Sequence, residues 1–187
     1  PARPLRRQPQ SPLTAPAPPG GAAIMPAHAG PCSLSPHAPL RAVIALLQRV
    51  TEAAVEVDGH AVAAIGPGLL VLVGVEREDG PGQARRLAER LLSYRVFPDP
   101  EGRMNLSVAD VRGGLLLVPN FTLAADTAKG ARASFTPAAP PEAAEALFTE
   151  LLGHARARHA PVEAGVFGAH MRVRLVNDGP VTFRLRA

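Results

Sequence analysis

Asp58-Gly59, set between two stretches of alternating residues, narrows what this chain can fold into more than any other feature. A two-residue Asp-Gly connection favours the type I′ turn, whose twist matches that of paired antiparallel strands. On its N-terminal side Ala53, Val55 and Val57 alternate with Ala54, Glu56 and Asp58, as a half-exposed strand requires. On its far side Val62 to Ile65 returns as the partner strand. Ala42 to Val50, mostly apolar, reads as an earlier strand buried on both faces. Gly66-Pro67-Gly68 turns the chain into Leu69 to Val75, another buried strand. Four strands with short connections predict an antiparallel meander.

Helical spacing then takes over. Pro81 suits a first helical turn, and Ala84, Leu87, Ala88, Leu91 and Leu92 fall on one face, with Arg85, Arg86, Glu89 and Arg90 mostly opposite. Arg95 to Phe97 is a short strand stopped by Pro98, and Asp99-Pro100-Glu101-Gly102 a turn. Gly113-Gly114 introduces the buried strand Leu115 to Val118, which runs into Pro119-Asn120-Phe121-Thr122-Leu123. Residues 124–140 form a loop of a length that is often functional in a compact domain. A second helix follows from about Glu142 to Arg158, with Ala143, Ala146, Leu147, Leu151 and Ala155 as its apolar stripe. Val162 to Ala164 is a short strand. Met171 to Val176 and Val181 to Leu185 then alternate on either side of Asn177-Asp178-Gly179-Pro180, which reads as the turn of a closing hairpin. The expected class is α+β, a mostly antiparallel, β-barrel-like sheet carrying two helices.

Residues 1–39 stand apart. They hold about half of the 21 prolines and no apolar periodicity, so disorder of this Pro/Ala-rich extension is expected, with the folded domain spanning 40–187. An Arg-rich, acid-free start fits either a transit peptide or an extension outside the mature protein. Arg3, Arg6 and Arg7 lie here with no acid, which leaves 17 basic against 16 acidic residues in the body. The overall net charge of +4 is therefore poor support for a nucleic-acid-binding surface. Cys32 alone cannot form an intramolecular disulfide and fits a reducing, cytoplasmic compartment. No apolar run reaches the roughly 18 residues of a membrane span. No metal site or cofactor is expected from scattered histidines and one cysteine.

No phosphate-binding glycine loop, nucleophile elbow or zinc-protease motif occurs, and no histidine has an obvious Ser or Cys partner. Chemistry from the backbone remains. Amide N–H groups at a strand-to-loop junction can stabilise an oxyanion without a titrating side chain, and Val118 to Leu123 is the best such junction.

The chain resembles the D-aminoacyl-tRNA deacylase family across roughly 40–187. The resemblance rests on Leu47-Gln48-Arg49-Val50, Val57-Asp58-Gly59, Ile65-Gly66-Pro67-Gly68, Met104-Asn105-Leu106-Ser107, Phe121-Thr122-Leu123, Ser134-Phe135-Thr136, Phe167-Gly168-Ala169 and Leu175-Val176-Asn177-Asp178-Gly179-Pro180-Val181-Thr182. It implies a homodimeric hydrolase that cleaves the ester of D-aminoacyl-tRNA, or of glycine mischarged on tRNA(Ala), in translation proofreading. The partners implied are the 3′ end of aminoacyl-tRNA and a second copy, with no DNA and no membrane. Gly179 and Pro180 correspond to the family's Gly-cisPro motif, which enters the partner's pocket and excludes L-side chains. Arg49, Asn177 and Thr182 would support it, and Asn120, Phe121 and Thr122 would carry catalysis.

One departure matters. Most relatives have Ser-Gln where this chain has Pro119-Asn120, and proline has no amide N–H to offer an oxyanion. Loss of one such donor costs about 2.7–4 kcal/mol. The resemblance thus leaves an alternative: a dimeric aminoacyl-tRNA-binding relative with weak or altered activity.

Overall fold

The computed structural model describes residues 43–187, and the expected disorder of 1–39 lies outside that range. The first strand, β1 (Ile44–Val57), is the spine of the sheet. Its first half pairs antiparallel with β3 (Gly68–Gly74), its second half with β2 (His60–Ile65), and β8 (Met171–Arg186) runs antiparallel along its other edge. The β1–β2 turn is the one expected: Asp58 and Gly59 both have positive φ, 50° and 82°. Beyond β3 come β6 (Gly114–Pro119) and β7 (Val162–Ala164), both added in parallel. A two-residue β4 (Phe97–Pro98) and β5 (Met104–Leu106) pair separately. The sheet is barrel-like and nearly closed, and it carries α1 (Pro81–Ser93) and α2 (Pro141–Arg156).

Parity along the strands explains why both faces are dry. Leu69, Val71, Leu115 and Leu117 point to one side, where Leu87, Leu91, Leu147 and Leu151 of the helices close over them. Leu70, Leu116 and Val118 point to the other, into a second cluster with Val55 and Ile65. Strands covered on both faces read as continuous apolar runs, which is how β3 and β6 appear in the sequence. Gly68 permits the close start of the β3–β6 ladder: a Cβ there would lie 2.0 Å from the Gly114 carbonyl oxygen.

Several expectations are corrected. Among the described residues, the two expected strands Ala42–Val50 and Ala53–Val57 are one strand, Ile44–Val57, so the four-stranded meander does not form. Ala45 and Leu47 belong to the helix-side cluster, whereas Ala53 and Val55 belong to the other. The switch is a bulge at Thr51, because Val50 and Glu52 pair with the adjacent residues Asn177 and Val176. One extra residue flips every later side chain to the opposite face. On α2 the buried positions are Ala144, Leu147, Phe148, Leu151 and Ala155, with Ala143 and Ala146 exposed, and the helix ends at Arg156. Phe148 supplies the larger apolar area and so sets the rotation of the helix.

The closing hairpin is also absent. Met171–Arg186 is a single strand against β1, interrupted by a protruding loop. Gln48 pairs with Thr182 and Val50 with Asn177, so Asp178, Gly179, Pro180 and Val181 stand opposite Arg49 alone. The turn-forming residues do turn the chain, but they return it to its own strand.

Candidate active site

The end of β6 delivers Pro119 and Asn120 to the rim of an open cleft of about 970 Å³. Its floor is the barrel side of the sheet, with Leu70, Leu72, Val118, Met171, Val173 and Leu175. Its walls are Phe121 and Thr122, Phe135, Ala138 to Pro141, and Phe167 to His170. The alternation Met171, Val173, Leu175 aims one face of β8 at this space.

Asn120 caps a single 3₁₀ turn, Phe121–Ala124, where the sequence gives only a strand running into a loop. Its Oδ1 accepts from the Thr122 amide at 3.2 Å and from the Thr122 hydroxyl at 2.5 Å. Its own backbone N–H donates to the Val73 carbonyl at 2.7 Å. The pairing with β3 thus takes the Asn120 amide out of reach of an oxyanion. Pro119 has no N–H, and the Thr122 N–H is committed to the cap. Phe121 N–H, between them, is taken by neither Val73 nor Asn120. The Phe121 ring is 62% exposed and packs on Phe135 with ring centroids 5.1 Å apart.

The second group of expected residues lies at the β8 loop. Asn177 staples its base: Nδ2 donates to the Val181 carbonyl at 3.1 Å and Oδ1 accepts from the Val181 amide at 3.0 Å. Thr182 Oγ receives Gln48 Nε2 and Asn177 Nδ2, both at 3.4 Å. Arg49 is largely buried behind the loop. Its Nη1 donates to the Val96 carbonyl at 2.6 Å, and its Nε lies 2.9 Å from Asp178 Oδ2, turned off the line of a hydrogen bond. Gly179 has φ +135°, where side chains are strained, and the Gly179-Pro180 bond is cis. Both residues are exposed and neither lines the cleft of its own chain.

The expected residues thus fall into two groups: Asn120, Phe121 and Thr122 at the cleft, and Arg49, Asn177, Gly179, Pro180 and Thr182 at the loop. Gln48 connects them, lining the cleft while bonded to Thr182. Sequence reasoning assigned no role to Arg77, Phe135 or His170, which line the same cleft. Arg77 Nε donates to the Thr136 carbonyl at 3.3 Å and ties the loop wall to the end of β3. Only the ordered run Ser134-Phe135-Thr136 hinted at these residues, because their long-range placement leaves no local pattern.

A nearly closed α+β barrel with an apolar cleft, rimmed by a few polar groups on a strand end, has the architecture of a small-ligand site. Comparison with known proteins narrows this. A family model described as D-Tyr-tRNA(Tyr) deacylase matches residues 46–186. A protein of Nitrosococcus oceani named D-aminoacyl-tRNA deacylase is 65% identical over 144 residues, covering 77% of this chain and 93% of that one. One of the same name from Alkalilimnicola ehrlichii is 66% identical over 145 residues, covering 78% and 97%. A solved structure titled c-Myc DNA Unwinding Element Binding Protein matches with TM-score 0.74 at 38% identity, covering 77% of this chain and 98% of that one. Another, titled as a probable eukaryotic D-amino acid tRNA deacylase, has TM-score 0.69 over 78% and 100% at 17% identity, a likeness of fold alone. The chain belongs to the D-Tyr-tRNA(Tyr) deacylase family. It is a hydrolase of the ester-cleaving class.

Proposed function

We propose that the chain hydrolyses the ester joining a D-amino acid to the 3′ end of tRNA, and glycine mischarged on tRNA(Ala), as a homodimer acting in cytoplasmic translation proofreading. The observation that carries the reading is the Asn120–Thr122 turn at the rim of the cleft. An amide donor at a fixed strand end there can meet the charge that develops on an attacked ester carbonyl. The apolar floor accommodates the terminal nucleoside, and water attacks the carbonyl held near the Phe121 N–H. Gly179 and Pro180 of one subunit face the substrate Cα in the other subunit's cleft. Three facts support that assignment: the pair is exposed, lies outside its own cleft and is backed by Arg49 and Asn177. A rigid backbone probe excludes the wrong enantiomer by collision, so discrimination comes from rejecting L-side chains.

The test is deacylation of D-Tyr-tRNA and L-Tyr-tRNA by the full chain. Faster cleavage of the D-ester supports the reading; equal rates, or none above buffer, overturn it. The tie between the Asn120 amide and Val73 favours a second reading, in which the chain binds aminoacyl-tRNA with weak turnover. Replacing Pro119-Asn120 with Ser-Gln separates the two. A large gain in rate supports weak native turnover, and an unchanged, already high rate removes it.

A further inference from the structure

We propose that Asn120 is a positioning residue that fixes the Thr122 hydroxyl as an acceptor for a hydrogen-bond donor of the substrate, beside the scissile ester. The inference rests on the deacylase reading above. It starts from one atom with two partners. Asn120 Oδ1 faces both the Thr122 amide, at 3.2 Å, and the Thr122 hydroxyl oxygen, at 2.5 Å. A backbone N–H can only donate, so the atom facing it must be the carbonyl oxygen of the Asn120 side chain and not its NH₂ group. That settles the orientation of the amide, which is otherwise ambiguous. An amide oxygen can only accept, so the Thr122 hydroxyl directs its one proton at Asn120. What it presents elsewhere is lone pairs.

Asn120 and Thr122 both line the cleft, and Thr122 is exposed there. A ligand atom that reaches Thr122 Oγ must therefore carry a hydrogen, and a carbonyl oxygen at that point is repelled. The neighbouring groups have the opposite polarity. Phe121 N–H is held by neither Val73 nor Asn120, and Asn120 Nδ2 has no partner among the described residues. The rim is thus divided into donors for an oxygen and, one residue on, an acceptor for a proton-bearing group. An aminoacyl ester matches that division. Its carbonyl oxygen meets the donors, while a donor a few bonds away meets Thr122. Two groups of the ester qualify, the α-ammonium and the ribose 2′-hydroxyl, and both offer the same chemistry to the hydroxyl.

The test uses the full chain and measures dissociation constants, so it does not depend on turnover. The probe is an amide-linked analogue of D-tyrosyl-adenosine, with nitrogen in place of the ester oxygen, together with its 2′-deoxy and desamino forms. Thr122→Val is expected to weaken the parent analogue about tenfold, the scale of one hydrogen bond, while Thr122→Ser restores binding. Asn120→Ala, which frees the hydroxyl proton, is expected to weaken it similarly. The decisive readout is that the Thr122→Val penalty disappears on one modified analogue, which names the donor. A penalty equal on all three ligands marks a merely structural hydroxyl and overturns the inference, as does no penalty on the parent. Failure of the deacylase reading shows separately, as D-Tyr-tRNA left intact by a protein that still binds the parent analogue. A wild-type chain that does not bind that analogue overturns the inference as well.

Discussion

Arg49 Nε lies 2.9 Å from Asp178 Oδ2, and the same guanidinium donates through Nη1 to the Val96 carbonyl. The arginine is the only β1 residue opposite the protruding loop of β8, and it holds that loop from behind. Arg49→Met keeps much of the apolar stem but removes both contacts. The expected outcome is a folded protein whose D-over-L rate ratio falls at least about tenfold, given about 1.5–3 kcal/mol for hydrogen bonds to charged groups. Parallel assays on D- and L-Tyr-tRNA check it, and an unchanged ratio counts against a role for Arg49 in holding the loop.

Asn177 closes the loop from its other end, with both polar atoms of its side chain on the backbone of Val181. Asn177→Ala removes three hydrogen bonds, the two to Val181 and one to Thr182 Oγ, and leaves the partly buried Val181 amide unpaired. The expected loss of stability is about 1–3 kcal/mol. Urea unfolding reads it as a lower midpoint at unchanged slope. Hydrogen exchange should show the faster amides confined to 178–182.

Leu117 is fully buried between β6 and the two helices. Leu117→Ala is expected to destabilise the fold by about 2–5 kcal/mol, the range for a large core side chain that leaves a cavity. Leu117→Met, similar in volume, should cost under about 1.5 kcal/mol. Thermal melts of the two variants separate cavity formation from any general intolerance of the position.

Asp110 and Asp99 set the expected acid limb. The Ser107 hydroxyl and amide hold the Asp110 carboxyl below its ordinary value, and the Asn105 side chain, with the Arg103 and Glu101 amides, does the same for Asp99. A carboxyl depressed in the folded state stabilises above its unfolded pKa of about 3.9, and that stabilisation is lost as pH falls through the lower folded value. Melting temperature should therefore owe nothing to these groups' titration down to about pH 4 and lose their contribution below it. Asp110→Asn should flatten that acid limb, and equal acid slopes in the two proteins would sink the assignment.

Much of the fold was legible because its signals are local. The Asp58-Gly59 turn, the α1 stripe and the doubly buried β3 and β6 all follow from residues within a few positions of each other. What failed needed a distant partner. Asn177-Asp178-Gly179-Pro180 has the same turn chemistry whether it joins two strands or interrupts one, and only pairing with Gln48 and Val50, far earlier in the chain, decides between them. The Thr51 bulge is hidden for the same reason. At the site, the cleft-rim residues could be read from a motif, but the capture of the Asn120 amide by Val73 could not, since it is a contact between strands.

The β8 loop carries a further consequence for how such a protein can diversify. Its four residues leave the ladder after Asn177 and rejoin it at Thr182, with β1 continuous on the opposite side. Lengthening, shortening or reshaping that loop leaves both flanking registers where they were, so no barrel side chain has to change face. The exposed tip, Asp178 to Pro180, can therefore vary while Val181, packed in the core, and both flanking strands stay in place.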